Sequence, residues 1–328
     1  MAIKKSQIST QFAWIFILIA GAIILIFFIS LVYKQKAISE QKLASDVQVQ
    51  LKSILLGAGL SPGTSKQIET PNAEIDFTCD EEGFSAYSVK GALQKEEIPM
   101  QVLFAPNIIK GDKLIAWALE WDAPFKVTNF LYLSSPKVKY VFVSPPEDVE
   151  KDFPEDFSKE TVNDVSAVSA EGADKIRFVF FNKEPVFPSQ LNPKKVDISA
   201  INIASGQIYF YKAGKNSFAK VGEIPYLDMP SLYGAIFSDD LAFYECDMKK
   251  AFKRLNFISQ IYSERQDELK SYGTGCGLYY IAPIQNLVSD SGQCSTDIRG
   301  CMGKIAFDVG AIKSQQEILI IKSCPLLY

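Results

Sequence analysis

The 328-residue chain contains no histidine. That absence excludes Ser-His-Asp and Cys-His catalysis, and histidine-based metal sites, within these residues. Basic excess is also missing: 34 Lys and Arg stand against 38 Asp and Glu, a formal net charge of −4. A nucleic-acid partner is therefore not expected. No C-x-x-C pair, N-x-S/T sequon, G-x-S-x-G or G-x-G-x-x-G occurs, and Gly214-Lys215 is followed by Asn216 where a phosphate-binding loop needs Ser or Thr. Ser134-x-x-Lys137 and Ser39-x-x-Lys42 match the first element of penicillin-recognising enzymes, but the S-D-N and K-T-G partners are absent. No cofactor or metal motif is found, and nothing in the sequence marks the chain as an enzyme.

Charge disappears altogether over residues 12–33, FAWIFILIAGAIILIFFISLVY. As a helix this run is ~33 Å long, enough to cross the core of a bilayer, and longer than a secretory h-region. Ala20, Gly21 and Ala22 allow close helix approach inside it. The expectation is a single-pass membrane protein with the lipid bilayer as its first partner.

Residues 1–11 read MAIKKSQISTQ. Lys4 and Lys5 precede a polar patch that abuts the apolar run. This tip resembles the class III signal of archaeal type IV pilin-like proteins, in which a basic tip, Gln-x-Ser-x-Glu-Phe and a hydrophobic helix follow one another. The matching residues are Gln7, Ser9 and Phe12. The resemblance covers about 30 residues. It implies that a prepilin peptidase cuts between Ser6 and Gln7, that the apolar helix stays in the mature protein, and that other pilin-like subunits are partners. Gln11 departs from the pattern, which has Glu there; an amide cannot form the ion pair that the carboxylate makes with a neighbouring subunit's amine.

Six cysteines, Cys79, Cys246, Cys276, Cys294, Cys301 and Cys324, all follow the apolar run. An even number in an anchored chain suits disulfides in an oxidising compartment. Connectivity is not readable from sequence, but the last four cluster and are expected to pair among themselves. Lysines balance across the apolar run, so orientation rests on the cysteines and the signal: N-terminus cytoplasmic, C-terminal domain extracytoplasmic.

Apolar residues recur at Leu43, Val47, Leu51, Ile54, Leu55 and Ala58, a one-sided helical pattern over 34–60 that Gly57, Gly59 and Pro62 end. One helix from about residue 10 to 56 is expected. Period-two alternation then begins at Ile75, with strands expected at 85–89, 100–104, 114–121, 127–132 and 138–143. Gly83, Gly91, Pro99, Pro106, Gly111 and Pro124 punctuate them. Trp117, Trp121, Phe125, Phe130 and Tyr132 read as sheet core before ligand shelf. Residues 144–160 hold seven acidic residues and two lysines. They lack the spacing and glycine of an EF-hand, and read as a solvated loop or short acidic helix.

Further strands are expected at 176–181, 196–203, 207–212, 218–221, 233–237 and 241–246. A helix capped by Asp247 and stopped by Gly273 follows, with Met248, Ala251, Phe252, Leu255, Ile258, Tyr262 and Leu269 on one face. Residues 312–321 fit a short helix or a last strand. The fold class expected is α+β: a long transmembrane and amphipathic helix, a mostly antiparallel β-rich domain, and a helical, cysteine-containing C-terminal part. The segments are 1–11, 12–33, 34–60, a β-rich subdomain 63–145, an acidic linker 146–165 and an α/β subdomain 166–328. The function expected is anchoring or protein–protein contact. Membrane-anchored carboxylate-dependent hydrolysis, or ligand sensing, stands as the alternative.

Overall fold

The computed structural model describes residues 3–80, 84–98, 101–271, 276–280 and 283–328. For residues 3–13 only the helical backbone is described. The processing residues Ser6, Gln7, Ser9, Gln11 and Phe12 thus lie outside the described side chains, and Gly83, Pro99, Met100 and Gly273 lie outside the described residues.

Helix α1 (Ile3–Gly59) is one 57-residue rod, longer at both ends than its apolar pattern suggests. It spans ~86 Å at 1.5 Å per residue. Its segment from Trp14 onward is long and apolar enough to cross a membrane; its most apolar stretch has a mean hydropathy of 3.2 and none of it is buried. The upper part carries the domain. Ala44, Gln48, Leu51, Leu55 and Ala58 face inward, spaced three and four apart. Leu43 and Ile54 face solvent at 55% and 40% exposure, so the packed stripe is rotated by about one residue from the expected one.

Two six-stranded sheets follow. The first is built from β1 (Ser65–Cys79), β2 (Ser85–Val89), β3 (Glu96–Ile98), β4 (Val102–Phe104), β5 (Ile108–Asp122) and β6 (Lys126–Ser134), in the order β3-β2-β1-β5-β6-β4. The second holds β7 (Val138–Val143), β8 (Lys159–Val162), β9 (Lys175–Phe181), β10 (Asp197–Ala204), β11 (Gln207–Ala213) and β12 (Phe218–Pro225), in the order β12-β11-β10-β9-β7-β8. The α+β class stands, but the sheets are mixed. β4–β6, β7–β8, β7–β9 and β9–β10 are parallel, where a mostly antiparallel domain was expected. Crossovers too poor in helix period to be read from sequence make these pairings: α2 (Glu147–Asp152) links β7 to β8, and the long loop 182–196 links β9 to β10.

Alternation places each sheet between two layers. In β5, Leu114, Ala116 and Ala118 face α1 while Ile115, Trp117 and Trp121 face a central aromatic layer. In the second sheet Tyr140, Phe142, Val179 and Ile201 face that same central layer, and Val141, Phe178 and Ala200 face the loops that hold Val165, Val168 and Leu191. The expected sheet-core role of Trp117, Trp121, Phe130 and Tyr132 is what the packing shows.

Helices α3 (Met229–Phe237) and α4 (Leu241–Ser271) enter the central layer and touch both sheets. Phe237 lies 5.3 Å from Tyr132 of the first sheet and 5.0 Å from Tyr140 of the second. Tyr244 bridges Phe104 and Phe210 likewise, at 5.8 and 6.0 Å. These two segments were expected as strands 233–237 and 241–246. They are helical because capping overrides a short apolar run. Asp228 accepts from the Ser231 backbone N–H at 2.9 Å in a capping box, and Pro follows near the helix start. Asp240 accepts from the Phe243 N–H at 2.9 Å and starts α4. Asp247 is consequently not a cap but a fully buried carboxylate inside α4.

The acidic stretch is not a linker either. Val149, Phe153 and Phe157 sit in the central layer, Trp117 lies 6.3 Å from Phe153, and β8 completes the second sheet. β7, assigned to the first subdomain, belongs to the second sheet. The chain ends in α5 (Pro283–Cys294) and α6 (Met302–Ile321), so residues 312–321 are helical. The disulfides are Cys79–Cys246, Cys276–Cys324 and Cys294–Cys301; the four C-terminal cysteines pair among themselves.

Candidate functional site

A concavity of about 810 Å³ opens where the two sheets meet the α3–α4 joint. Its wall comes from the first residues of β7, β9 and β10, the end of β11, the start of β5 and the joint itself. Lys175, Arg177 and Ser199 alternate onto the central-facing side of the second sheet with Val179 and Ile201. That side is apolar further along both strands, through Val179 and Phe181 in β9 and Ile201 and Ile203 in β10, and polar only here, at the strand starts.

Arg177 lies behind this wall and does not line the concavity. It is 2% exposed, and its guanidinium donates to the carbonyls of Ala235 at 3.0 Å, Ser238 at 2.6 Å and Asp239 at 3.2 Å. These are the carbonyls that α3 leaves unpaired at its C-terminus, where a cation also meets the negative end of the helix dipole. Burial lowers the Arg177 pKa to about 10, offset in part by the nearby Asp239 carboxylate, so it stays charged at neutral pH. Above it Lys175 pairs with Asp239 and, at 3.0 Å, with Asp197. Asn107 ties the first sheet in, its backbone N–H donating to Asp239 at 2.8 Å and its side-chain amide to Asp240 at 2.9 Å.

Every carboxylate on this wall is engaged. Asp174 faces Lys137 at 3.5 Å, Asp197 and Asp239 hold Lys175, and Asp240 caps α4. The uncommitted groups are cations and hydroxyls. Lys195 and Lys212 have no ion pair among the described residues, and the buried Ser135 and Ser199 hydroxyls have no hydrogen-bond partner. The arrangement suits reception of an anionic or hydroxylated group. It does not suit glycoside hydrolysis, which needs one carboxyl free to give a proton and another free to attack or to activate water.

A second polar cluster lies beneath the Cys79–Cys246 disulfide. Lys250 pairs with Asp247 and donates to Ser85 Oγ at 2.6 Å and to the Gln101 carbonyl at 2.9 Å. The Leu103 N–H donates to Asp247 at 3.2 Å. Ser85 and Lys250 resemble a nucleophile and base, but the Lys250 ammonium is tied to the Asp247 carboxylate and all three residues are buried away from any substrate. The cluster ties α4 to the first sheet. Ser134 and Lys137 do not come together as a catalytic pair: the Ser134 hydroxyl accepts from Tyr140 at 2.9 Å while Lys137 turns to Asp174.

Of the cleft residues sequence reasoning singled out Lys137 alone, and in a catalytic pairing with Ser134 that the structure does not form. The cleft residues come from six separated segments, and the one signal available was the charge of Lys175 and Arg177 at the head of an otherwise apolar strand. No protein-family model, no curated protein and no solved structure matches this chain.

Proposed function

We propose that the chain is a single-pass, pilin-like surface protein that works by anchoring and contact. α1 lies in the membrane over its lower half and holds an extracytoplasmic domain on its upper half. The observation that carries this reading is the division of α1. Residues 14–33 are bare and apolar, whereas Ala44, Leu51 and Leu55 of the same rod are built into the first sheet's core. Bare apolar surface on this scale requires lipid or other apolar helices around it. Three disulfides on the domain fit the oxidising side of the membrane.

The anchored ligand-binding reading ranks second. The cleft with Lys195, Lys212 and two unpartnered hydroxyls favours it, and it is compatible with the first.

The test is intact mass of membrane-extracted protein without reductant. Cleavage before Gln7 removes residues 1–6, and three disulfides lower the mass by about 6 Da relative to the reduced chain. A cell-impermeant thiol reagent should label nothing on intact cells until a reductant is added. Six free thiols reachable only after membrane disruption would reject the extracytoplasmic placement.

A further inference from the structure

Helices α5 and α6 form a hairpin stapled by Cys294–Cys301, and a groove of about 430 Å³ runs between them. On α5, Asn286, Ser289 and Asp290 share a face at spacings of three and four; on α6, Lys304 and Asp308 do the same. The two carboxylates adjoin across the groove. Asp308 is 3% exposed, and its Oδ2 meets no donor except the Asp290 carboxyl, which can bond to it only while one of the two holds a proton. Once both are ionised, a buried carboxylate oxygen beside a second carboxylate is costly unless a positive charge meets it. The nearest cation does not serve. Lys304 stands 3.9 Å from Asp290, is 54% exposed, and donates to Gln293 at 3.3 Å. Asn286 and Ser289 add neutral oxygens on the same wall and make no side-chain hydrogen bond of their own.

From this geometry we propose that the α5–α6 groove binds a single divalent calcium ion, with Asp290 and Asp308 as carboxylate ligands. Asn286 and Ser289 supply neutral oxygens, and water fills the remaining positions. The donor set is all oxygen, which is what a hard cation takes, and calcium tolerates an irregular, partly hydrated shell where magnesium demands an octahedron. With two carboxylates the affinity belongs to the weak range, a Kd on the order of 10⁻⁴–10⁻³ M. The ion joins α5 to α6 across the groove and takes the place beside Asp290 that half-exposed Lys304 now occupies. The inference is independent of the anchoring role and of the cleft.

The test uses the full chain in detergent micelles, stripped with a chelator and dialysed free of it. Calcium chloride is titrated while thermal unfolding is followed, with ionic strength held by potassium chloride. Calcium at about tenfold above Kd should raise Tm by roughly 2–4 °C. In Asp308→Asn and Asp290→Asn that rise should vanish. Both variants lose like-charge repulsion, so in chelator they should unfold no earlier than the native chain, which separates lost binding from lost folding. Calorimetric titration should give one calcium per chain. An unchanged Tm and no binding heat up to ~10 mM calcium, or a full response retained by Asp308→Asn, overturns the proposal.

Discussion

Arg177 holds the joint on which both helices of the central layer turn. Its guanidinium meets three carbonyls that nothing else pairs, within a site closed to water. Arg177→Met keeps the volume and removes the donors, and should cost about 3 kcal/mol in urea-induced unfolding, because the orphaned carbonyls and Asp239 stay buried. Arg177→Lys should recover only part, since an ammonium cannot reach three acceptors in a plane. Asp228 makes a second prediction, in pH. Burial pushes its pKa above the usual carboxylate range, and the bonds from Ser231 and Trp121 offset this only in part. A group with a raised folded pKa binds its proton more tightly in the folded state. Its contribution is therefore present at acid pH, below the unfolded value near 3.9, and is lost as pH rises through the folded value. The urea midpoint should consequently gain from Asp228 as pH falls from neutral toward the unfolded value near 3.9, and Asp228→Asn should remove that gain while its amide oxygen still accepts from Ser231.

Elements show where sequence period suffices and where it fails. α1 was legible as a helix because 22 uncharged, apolar residues in a row suit a membrane-spanning helix and little else, but not in its rotation. Its upper half carries apolar side chains on two faces, the buried Leu51 and Leu55 and the exposed Val49 and Leu56. Period alone cannot choose between such faces; the sheet does. Leu51→Ala or Leu55→Ala should cost roughly 2–4 kcal/mol, whereas Leu43→Ala and Ile54→Ala should change the urea midpoint hardly at all. Equal costs at all four positions would place the contact stripe where the sequence pattern has it. α3 failed for a different reason. The short apolar run 233–237 read as a strand, and the decisive signal was Asp228 with Ser231 three residues on, a cap that does not use Glu or Gln. Disulfides rank by loop. Cys79–Cys246 closes 167 residues and Cys294–Cys301 closes 7. Chain entropy gives about 5 kcal/mol for the first and about 2 for the second. Replacing both cysteines of each pair by serine should lower Tm in that order.

For the whole molecule the question is how many units melt. The acidic run 146–165 suggested a seam between two subdomains, because its eight carboxylates look solvated. That inference failed through what lies between the charges. Val149, Phe153 and Phe157 recur at four-residue steps and enter the central layer, leaving the acids outside. The candidate cleft was illegible for the same kind of reason: its charged residues mean nothing until parallel pairing of β7, β9 and β10 brings the strand starts level. Both sheets depend on the same filling. Phe237 and Tyr244 each touch aromatic rings of the first sheet and of the second, so neither sheet can keep its inner face covered once α3 and α4 leave. One cooperative unfolding transition should therefore be seen beyond α1. Tryptophan fluorescence reads the first sheet through Trp117 and Trp121, and amide exchange in β9 and β10 reads the second. Their urea midpoints should coincide, and Phe237→Ala should lower both together by about 3–4 kcal/mol. Separated midpoints, or loss confined to one sheet in that variant, would restore the two-subdomain division at the acidic run.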